Sequence, residues 1–410
     1  MDLDKIIVHK LNEATIKIEC EPSIAREIQD NFTFYANNYR FNPKYKNGVW
    51  DGKIRLLNLK NYTLYSGLLE KLESFAISHE YPFETSFNNY GNELSLIEAI
   101  NFINNINPNL PEGEATRDYQ IKSFVDGIRN KKCILLSPTG SGKSLIIYLL
   151  SRYMLDRNKK ILIVVPTINL VEQLYTDFIE YSINNKWNVE EYCHRVYQGK
   201  EKDPINKQII ISTWQSIYNL PEEYFSQFTA VIGDEADGFK ANSLIEIMTK
   251  LVNAEYRIGT TGTLDDVMVN ELVLEGLFGK IIKIISTKEL MDKKYLSQLE
   301  IKCLTLKHNN PKKMDYETES KYLISSSSRN KFIKNLALSL DGNTLILFRY
   351  LDHGKFLYDN LKDNGKNCYY ISGKTEIEIR ENIRKVLEKE TNAILIASYG
   401  TFSRGSNVRN

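Results

Sequence analysis

Paired cysteines are missing from this chain. The five it has, Cys20, Cys133, Cys193, Cys303 and Cys368, stand far apart, with no CxxC pair and no histidine at ligand spacing. That spacing argues against a disulfide framework and a zinc site, and for a reducing compartment. The five histidines are equally scattered and none is assigned chemistry. No basic segment followed by a long apolar stretch opens the chain at Met1-Asp2-Leu3-Asp4-Lys5, and no apolar run reaches membrane-spanning length. The expectation is a cytoplasmic protein with no membrane partner. Excess charge of one sign is lacking too: the net charge is +1, so only local patches can argue for a polyanionic partner. No repeat of fixed period is found.

What is present is a globular composition, 42% hydrophobic and 26% charged over 410 residues, with room for two or three domains. The most informative stretch is Ser137-Pro138-Thr139-Gly140-Ser141-Gly142-Lys143-Ser144, between an apolar run at 133–136 and a helix-like run at 145–153. Gly140 and Gly142 let backbone N–H groups turn inward around a phosphate, Lys143 supplies a mobile cation, and the Ser144 hydroxyl can ligate Mg²⁺ at a helix N-terminus. Ser137 stands where the usual pattern has glycine. A Gly/Ser/Thr turn ahead of an ordinary helix is the alternative, and the strand–turn–helix order favours a triphosphate site.

Asp234-Glu235-Ala236-Asp237 follows the apolar strand-like run 230–233. A phosphate-loop enzyme needs an acid at such a strand end. Asp234 would hold Mg²⁺ and Glu235 would orient and deprotonate the water attacking the γ-phosphate, which makes Glu235, Asp234 and Lys143 the catalytic set. The other reading of the tetrapeptide is a solvated turn.

Along the chain, residues 1–106 form a small α+β unit. From 31 to 58, aromatics such as Phe41 and Trp50 interleave with Arg40, Lys44, Lys46, Lys53 and Arg55. A basic, aromatic surface of this kind holds phosphates while stacking bases. The alternative is a β-hairpin, turned by Asn47-Gly48 and Asp51-Gly52, whose aromatics are core; both readings can hold together. A linker with two prolines and a glycine, Asn107 to Glu114, separates this unit from alternating strand-like and helical runs. That alternation predicts a parallel sheet covered on both faces over 107–285. A second α/β unit follows over 286–410, with strands expected at 299–306, 344–348, 368–371 and 393–397, and a polar loop at 307–319.

These motifs, in this order, resemble the superfamily 2 helicases from Arg117 to the last residue. Arg117-Asp118-Tyr119-Gln120 is similar to the adenine-reading segment, with Arg117, Tyr119 and Gln120 at the base. Pro166-Thr167 to Gln173 resembles motif Ia, and Ser212-Thr213-Trp214-Gln215 the next DNA-contacting motif. Thr261-Gly262-Thr263 occupies motif III, which couples hydrolysis to strand movement. Leu347-Phe348-Arg349-Tyr350 resembles motif IV, and Ala397 to Gly405 motif V. With the stretch from Tyr39 to Lys53, the resemblance extends to the UvsW recombination helicases of tailed bacteriophages, which implies a host bacterial cytoplasm if the chain is viral.

The resemblance implies two RecA-like parallel-sheet domains, the second incomplete, behind a small α+β N-terminal domain. It implies ATP and Mg²⁺ as cofactors. The partners it implies are branched duplex and single-stranded DNA, with RNA–DNA hybrid in R-loops. DNA contacts are expected from Arg40, Lys44, Lys46, Trp50, Lys53, Thr167, Thr213, Gln215 and Arg349. The chain stops at Asn410 before motif VI, whose arginine reaches the γ-phosphate, and carries Gly405-Ser406-Asn407 where many relatives have Gly-x-Asp. The expectation is a truncated or split product whose second domain a C-terminal fragment completes, with a sheet edge exposed near 393–397. The rival readings are an RNA helicase and a non-hydrolysing ATP- and DNA-binding module.

Overall fold

The computed structural model describes residues 5–87, 93–197, 206–264, 268–307 and 314–402. The first strands, β1 (Ile6–Lys10) and β2 (Thr15–Glu19), bury alternate residues, Ile6 and Val8 against Ile16 and Ile18, as a half-buried pleat requires. After the helix Pro22–Asn31 come β3 (Thr33–Tyr35) and β4 (Lys53–Arg55), which pair with each other, then β5 (Thr63–Tyr65), the helix Leu69–Ser78 and β6 (Phe83–Thr85). The small sheet runs β5-β2-β1-β6, and both helices close its core through Ile24, Ile28, Leu72 and Phe75. The segment from 31 to 58 is thus a two-stranded ribbon. Its connection carries helical turns at Tyr39–Phe41 and Pro43–Lys46 in place of a tight hairpin.

Beyond the helix Leu96–Ile106 lies a wholly parallel sheet. Its strands are β7 (Lys132–Leu136), β8 (Ile161–Val165), β9 (Cys193–Val196), β10 (Ile209–Thr213), β11 (Ala230–Asp234), β12 (Tyr256–Thr261) and β13 (Lys280–Lys283). They lie in the order β13-β7-β12-β11-β8-β10-β9. Side chains alternate between two separate cores. Cys133, Leu135, Ile161, Ile163 and Ile232 face one helical layer, and Ile134, Leu162, Val164 and Val231 face the other. Near-continuous burial of β-branched residues is what a sheet covered on both faces selects. Strands β9 and β13 are additional to the runs legible in the sequence.

The small sheet is fixed to the amino ends of this large one. Lys132 Nζ donates to the Glu13 carbonyl at 2.9 Å and to Ser66 Oγ at 3.1 Å. Gly67 packs so closely on the helix Met268–Phe278 that a Cβ would collide with the Glu275 carbonyl. The chain therefore divides into two compact units, Met1–Gln298 and Leu299–Asn410. Residues 286–298, assigned by their sequence to the second domain, fall in the first unit. The helix Thr287–Asp292 buries Leu290, and Lys293 pairs with Asp118 at 3.0 Å.

In the second unit, β14 (Thr344–Phe348), β15 (Cys368–Ile371) and β16 (Ile394–Ser398) form a parallel sheet ordered β14-β16-β15. Strand β16 is therefore central and buried, not the exposed edge expected at 393–397. Leu345 and Leu347, on edge strand β14, are the exposed ones. The alternating run at 299–306 forms no strand, because no neighbouring strand pairs with it among the described residues; Leu299 and Ile301 are exposed. The loop expected at 307–319 is shorter than that: a helix spans Tyr316–Ser325, capped by Asp315, whose carboxylate accepts from the Thr318 N–H. Arg404 and Gly405-Ser406-Asn407 lie outside the described residues.

Candidate nucleotide site and nucleic-acid interface

A parallel sheet gathers the carboxyl ends of its strands on one rim, which makes distant segments neighbours. The register aligns Thr261 with Leu136, Thr260 with Asp234, and Thr213 with Val165. The phosphate loop, motif Ia, the Thr213 segment, the strand-end acids and the Thr261 segment thus share that rim.

Gly140 and Gly142 adopt φ of 81° and 83°, a conformation that costs a side-chain-bearing residue energy, and the helix Lys143–Leu155 starts directly behind them. Ser137 N donates to the Thr261 carbonyl at 3.0 Å, and Ser141 Oγ donates to Ser137 Oγ at 3.1 Å. The serine at the loop's first position therefore braces the loop from within. Pro138 and Thr139 complete the turn; Gly262 lies against Thr139, and a Cβ there would be 3.5 Å from Lys143 Nζ.

Lys143 Nζ stands 4.0 Å from Glu235 Oε1. Glu235 itself has φ of 51° and ψ of 53°, left-handed values that a non-glycine residue keeps only under tertiary constraint. Asp234 Oδ1 accepts from Thr260 Oγ1 at 2.8 Å. Burial pushes the Asp234 carboxyl above its ordinary value, and the Thr260 hydrogen bond and the Lys143 ammonium offset only part of that. A buried carboxylate short of positive charge fits a hard divalent cation. Ser144 and Asp234 would hold Mg²⁺, which neutralises charge on the phosphate oxygens when bound. Ser144 Oγ is 3.0 Å from the Tyr181 hydroxyl, a contact that leaves a lone pair free for a cation. The Thr261 hydroxyl has the Thr263 carbonyl at 2.9 Å and Asp237 Oδ1 at 3.3 Å as alternative acceptors, which sets motif III against the acid segment.

The adenine-side residues are arranged in a way the sequence did not reveal. Gln120 Nε2 donates to the Ser141 carbonyl at 3.0 Å, while its Oε1 accepts from Arg117 N at 3.0 Å. Tyr119 Oη donates to the same carbonyl at 2.9 Å. Both side chains are buried and anchor the phosphate loop. The Arg117 guanidinium instead lies 4.1 Å from the centroid of the Tyr295 ring, a residue that carries no motif signal.

The expected nucleic-acid contacts fall in three places. On the rim, Thr167 Oγ1 caps the helix Ile168–Tyr181 and Gln215 Nε2 donates to the Pro166 carbonyl at 3.3 Å. Thr213 is buried with its hydroxyl 2.9 Å from Ser216 Oγ, which leaves Gln215 as the exposed polar group there. On the ribbon, Arg40, Lys44 and Lys46 are exposed, and Lys53 Nζ lies 5.4 Å from the Tyr35 ring centroid. Tyr39 stacks on Tyr35 at 4.6 Å. Trp50 is half-buried and its indole N–H donates to the Lys53 carbonyl at 2.9 Å, so it holds the loop. In the second unit, Arg349 is exposed and donates to the Tyr316 hydroxyl at 3.0 Å.

Seven parallel strands carrying a phosphate loop, a strand-end Asp-Glu pair and a Thr-Gly-Thr segment on one rim define the RecA-like motor unit of a superfamily 2 helicase. Residues 104–266 match the family described as "Type III restriction enzyme, res subunit", and residues 5–86 match "DNA helicase UvsW, N-terminal". The ATP-dependent DNA helicase uvsW of Enterobacteria phage T4 is 33% identical over 427 residues, covering 99% of this chain and 82% of that protein. The crystal structure of T4 UvsW superimposes with a TM-score of 0.62 at 30% identity, over 99% of this chain and 82% of that one. A second UvsW structure gives 0.61 at 31% identity, over 68% of this chain and 99% of the other. The chain belongs to the UvsW family of DNA helicases. Among the described residues no helix is long and apolar enough to cross a membrane.

Proposed function

We propose that this chain is an ATP-driven DNA helicase that remodels branched DNA: forks, Holliday junctions and the RNA–DNA hybrids of R-loops. One observation carries the reading. Lys143, Asp234 and Glu235 converge on the same strand-end rim as Thr167, Gln215 and the Thr261-Gly262-Thr263 segment, so nucleotide chemistry and strand contacts share one rigid support. Lys143 and the loop amides would hold the triphosphate, and Ser144 and Asp234 would hold Mg²⁺, which would supply positive charge to the phosphate oxygens. Glu235 takes the proton of the attacking water. Thr261, hydrogen-bonded near Asp237, transmits the change at the acids to the strand-contacting loops.

The proposed division of labour is a DNA-binding domain over 1–106, an ATP-binding motor over 107–298, which takes in the residues 286–298 expected in the second domain, and a second motor domain over 299–410. The ribbon cations Arg40, Lys44 and Lys46 grip phosphates without reading sequence, as do Thr167, Gln215 and Arg349 on the motor units. The test is steady-state ATP turnover with no nucleic acid, linear duplex, forked DNA and single-stranded RNA, beside a Glu235→Gln control. Stimulation greatest with forked DNA and lost in the control is expected. Equal or greater stimulation by RNA would replace the DNA reading with the RNA one.

A further inference from the structure

The residues expected at the adenine edge each spend polar groups on the protein itself. Both polar ends of the Gln120 amide are engaged, with the Ser141 carbonyl and the Arg117 N–H, and a Cβ at Gly142 would collide with Gln120 Nε2. The side chain is a strut beneath the phosphate loop. Above the loop lies a segment with no motif. Lys293 pairs with Asp118 at 3.0 Å. The Arg117 guanidinium sits 4.1 Å from the Tyr295 ring centroid, and Tyr119 and Tyr295 have centroids 6.2 Å apart. Leu296 packs on the loop itself, its Cδ2 2.5 Å from where a Cβ of Gly140 would stand. Three successive contacts thus draw residues 293–296 over the base side of the loop. Tyr295 as a whole remains 39% exposed.

We infer that Tyr295, braced on one face by Arg117, is the platform on which the nucleobase of the bound nucleoside triphosphate stacks. The base is recognised by its π-face, and purine identity is read weakly. This rests on the ATP-site reading and extends it to how the base is held. An aromatic ring backed by a guanidinium presents a flat, polarised surface to any base, and stacking of this kind tolerates exchange of edge substituents. A site that hydrogen-bonds the base edge would instead reject the wrong purine by orders of magnitude.

The experiment compares wild type with Tyr295→Ala, Tyr295→Phe and Tyr295→Trp, using DNA-stimulated turnover of ATP and GTP and competition by ADP and by inorganic tripolyphosphate. Expected for Tyr295→Ala are a KM for ATP and a Ki for ADP raised about tenfold, with kcat held. Tripolyphosphate, which has no base, should keep its Ki. Phe and Trp should restore the KM, and wild-type KM values for ATP and GTP should agree within about tenfold. An unchanged KM in Tyr295→Ala overturns the inference. So does an equal loss of tripolyphosphate affinity, which would mean that the ring merely supports the loop through Leu296. Preference for ATP over GTP above about a hundredfold would return base recognition to edge contacts. Absence of any nucleotide binding in wild type would overturn the ATP-site reading itself, and this inference with it.

Discussion

The two ends of the seven-stranded sheet both carry charged side chains and use them oppositely. At the amino ends, charge is met by opposite charge or by backbone carbonyls. Lys131 and Lys159 share Glu255, at 2.5 and 2.7 Å, and Lys132 pairs with Glu13 at 3.1 Å. Burial pushes the Lys132 ammonium down to about 8 even with Glu13 beside it. The Arg257 side chain, fully buried, donates to the carbonyls of Leu277, Leu251 and Met248. At the carboxyl ends, Asp234 is buried with its charge only partly offset, and Glu235 keeps a left-handed backbone. One parallel topology thus yields a structural joint at one end and a strained, charge-hungry site at the other. Matched charges resist rearrangement, whereas under-compensated ones bind ligands.

That contrast predicts which substitutions separate activity from stability. The largest effect belongs to the carboxyl rim: Glu235→Gln should lower ATP turnover about 10²–10⁴-fold, with unfolding in urea unchanged. Arg257→Met should do the reverse. Three carbonyls lose their donor, so about 3 kcal/mol of stability should disappear in urea denaturation while residual nucleotide binding at low temperature persists. If Arg257→Met instead reduced turnover without destabilising, the amino-end joint would be functional and the contrast would fail.

The ribbon lies outside both ends and should behave additively. Arg40→Ala with Lys46→Ala should weaken DNA binding and reduce the slope of log affinity against log salt by about 2, leaving the KM for ATP unchanged. An unaltered salt slope removes the ribbon from the DNA interface. The smallest effect sharpens the comparison most. Asp234→Asn, read for stability alone, should raise the melting temperature by roughly 2 °C at neutral pH. Because the folded state raises the Asp234 pKa, the cost of its charge is present above that pKa and shrinks as pH falls through it toward 3.8. The melting difference between variant and wild type should therefore narrow in acid, a trend readable in thermal scans across pH.

Much of the candidate site was legible because its signals are local. A phosphate loop is one strand, one turn and one helix start, and the acids directly follow an apolar strand-like run, so spacing and residue type suffice. The alternation of apolar strands and helices likewise disclosed the parallel sheet. The segment 299–306 misled because its alternating pattern states what a strand would need, whereas a strand exists only when a neighbour pairs with it. Strand β16 is central where its sequence suggests an edge, because strand order is set by crossover connections, which composition does not record.

The sequence by itself pointed to the class of chemistry proposed above: Gly140, Gly142, Lys143 and Ser144 toward a triphosphate, Asp234 and Glu235 toward metal and water, and the interleaved aromatics and cations of residues 31–58 toward a polyanion. Only the tertiary structure decided how those residues are spent. It turned Gln120 and Trp50 inward as struts, withdrew the Thr213 hydroxyl to Ser216, and carried Tyr295 and Leu296 over the phosphate loop. The physical reason is that a side chain's role follows from its partners, and partners far apart in the chain meet only through packing and register.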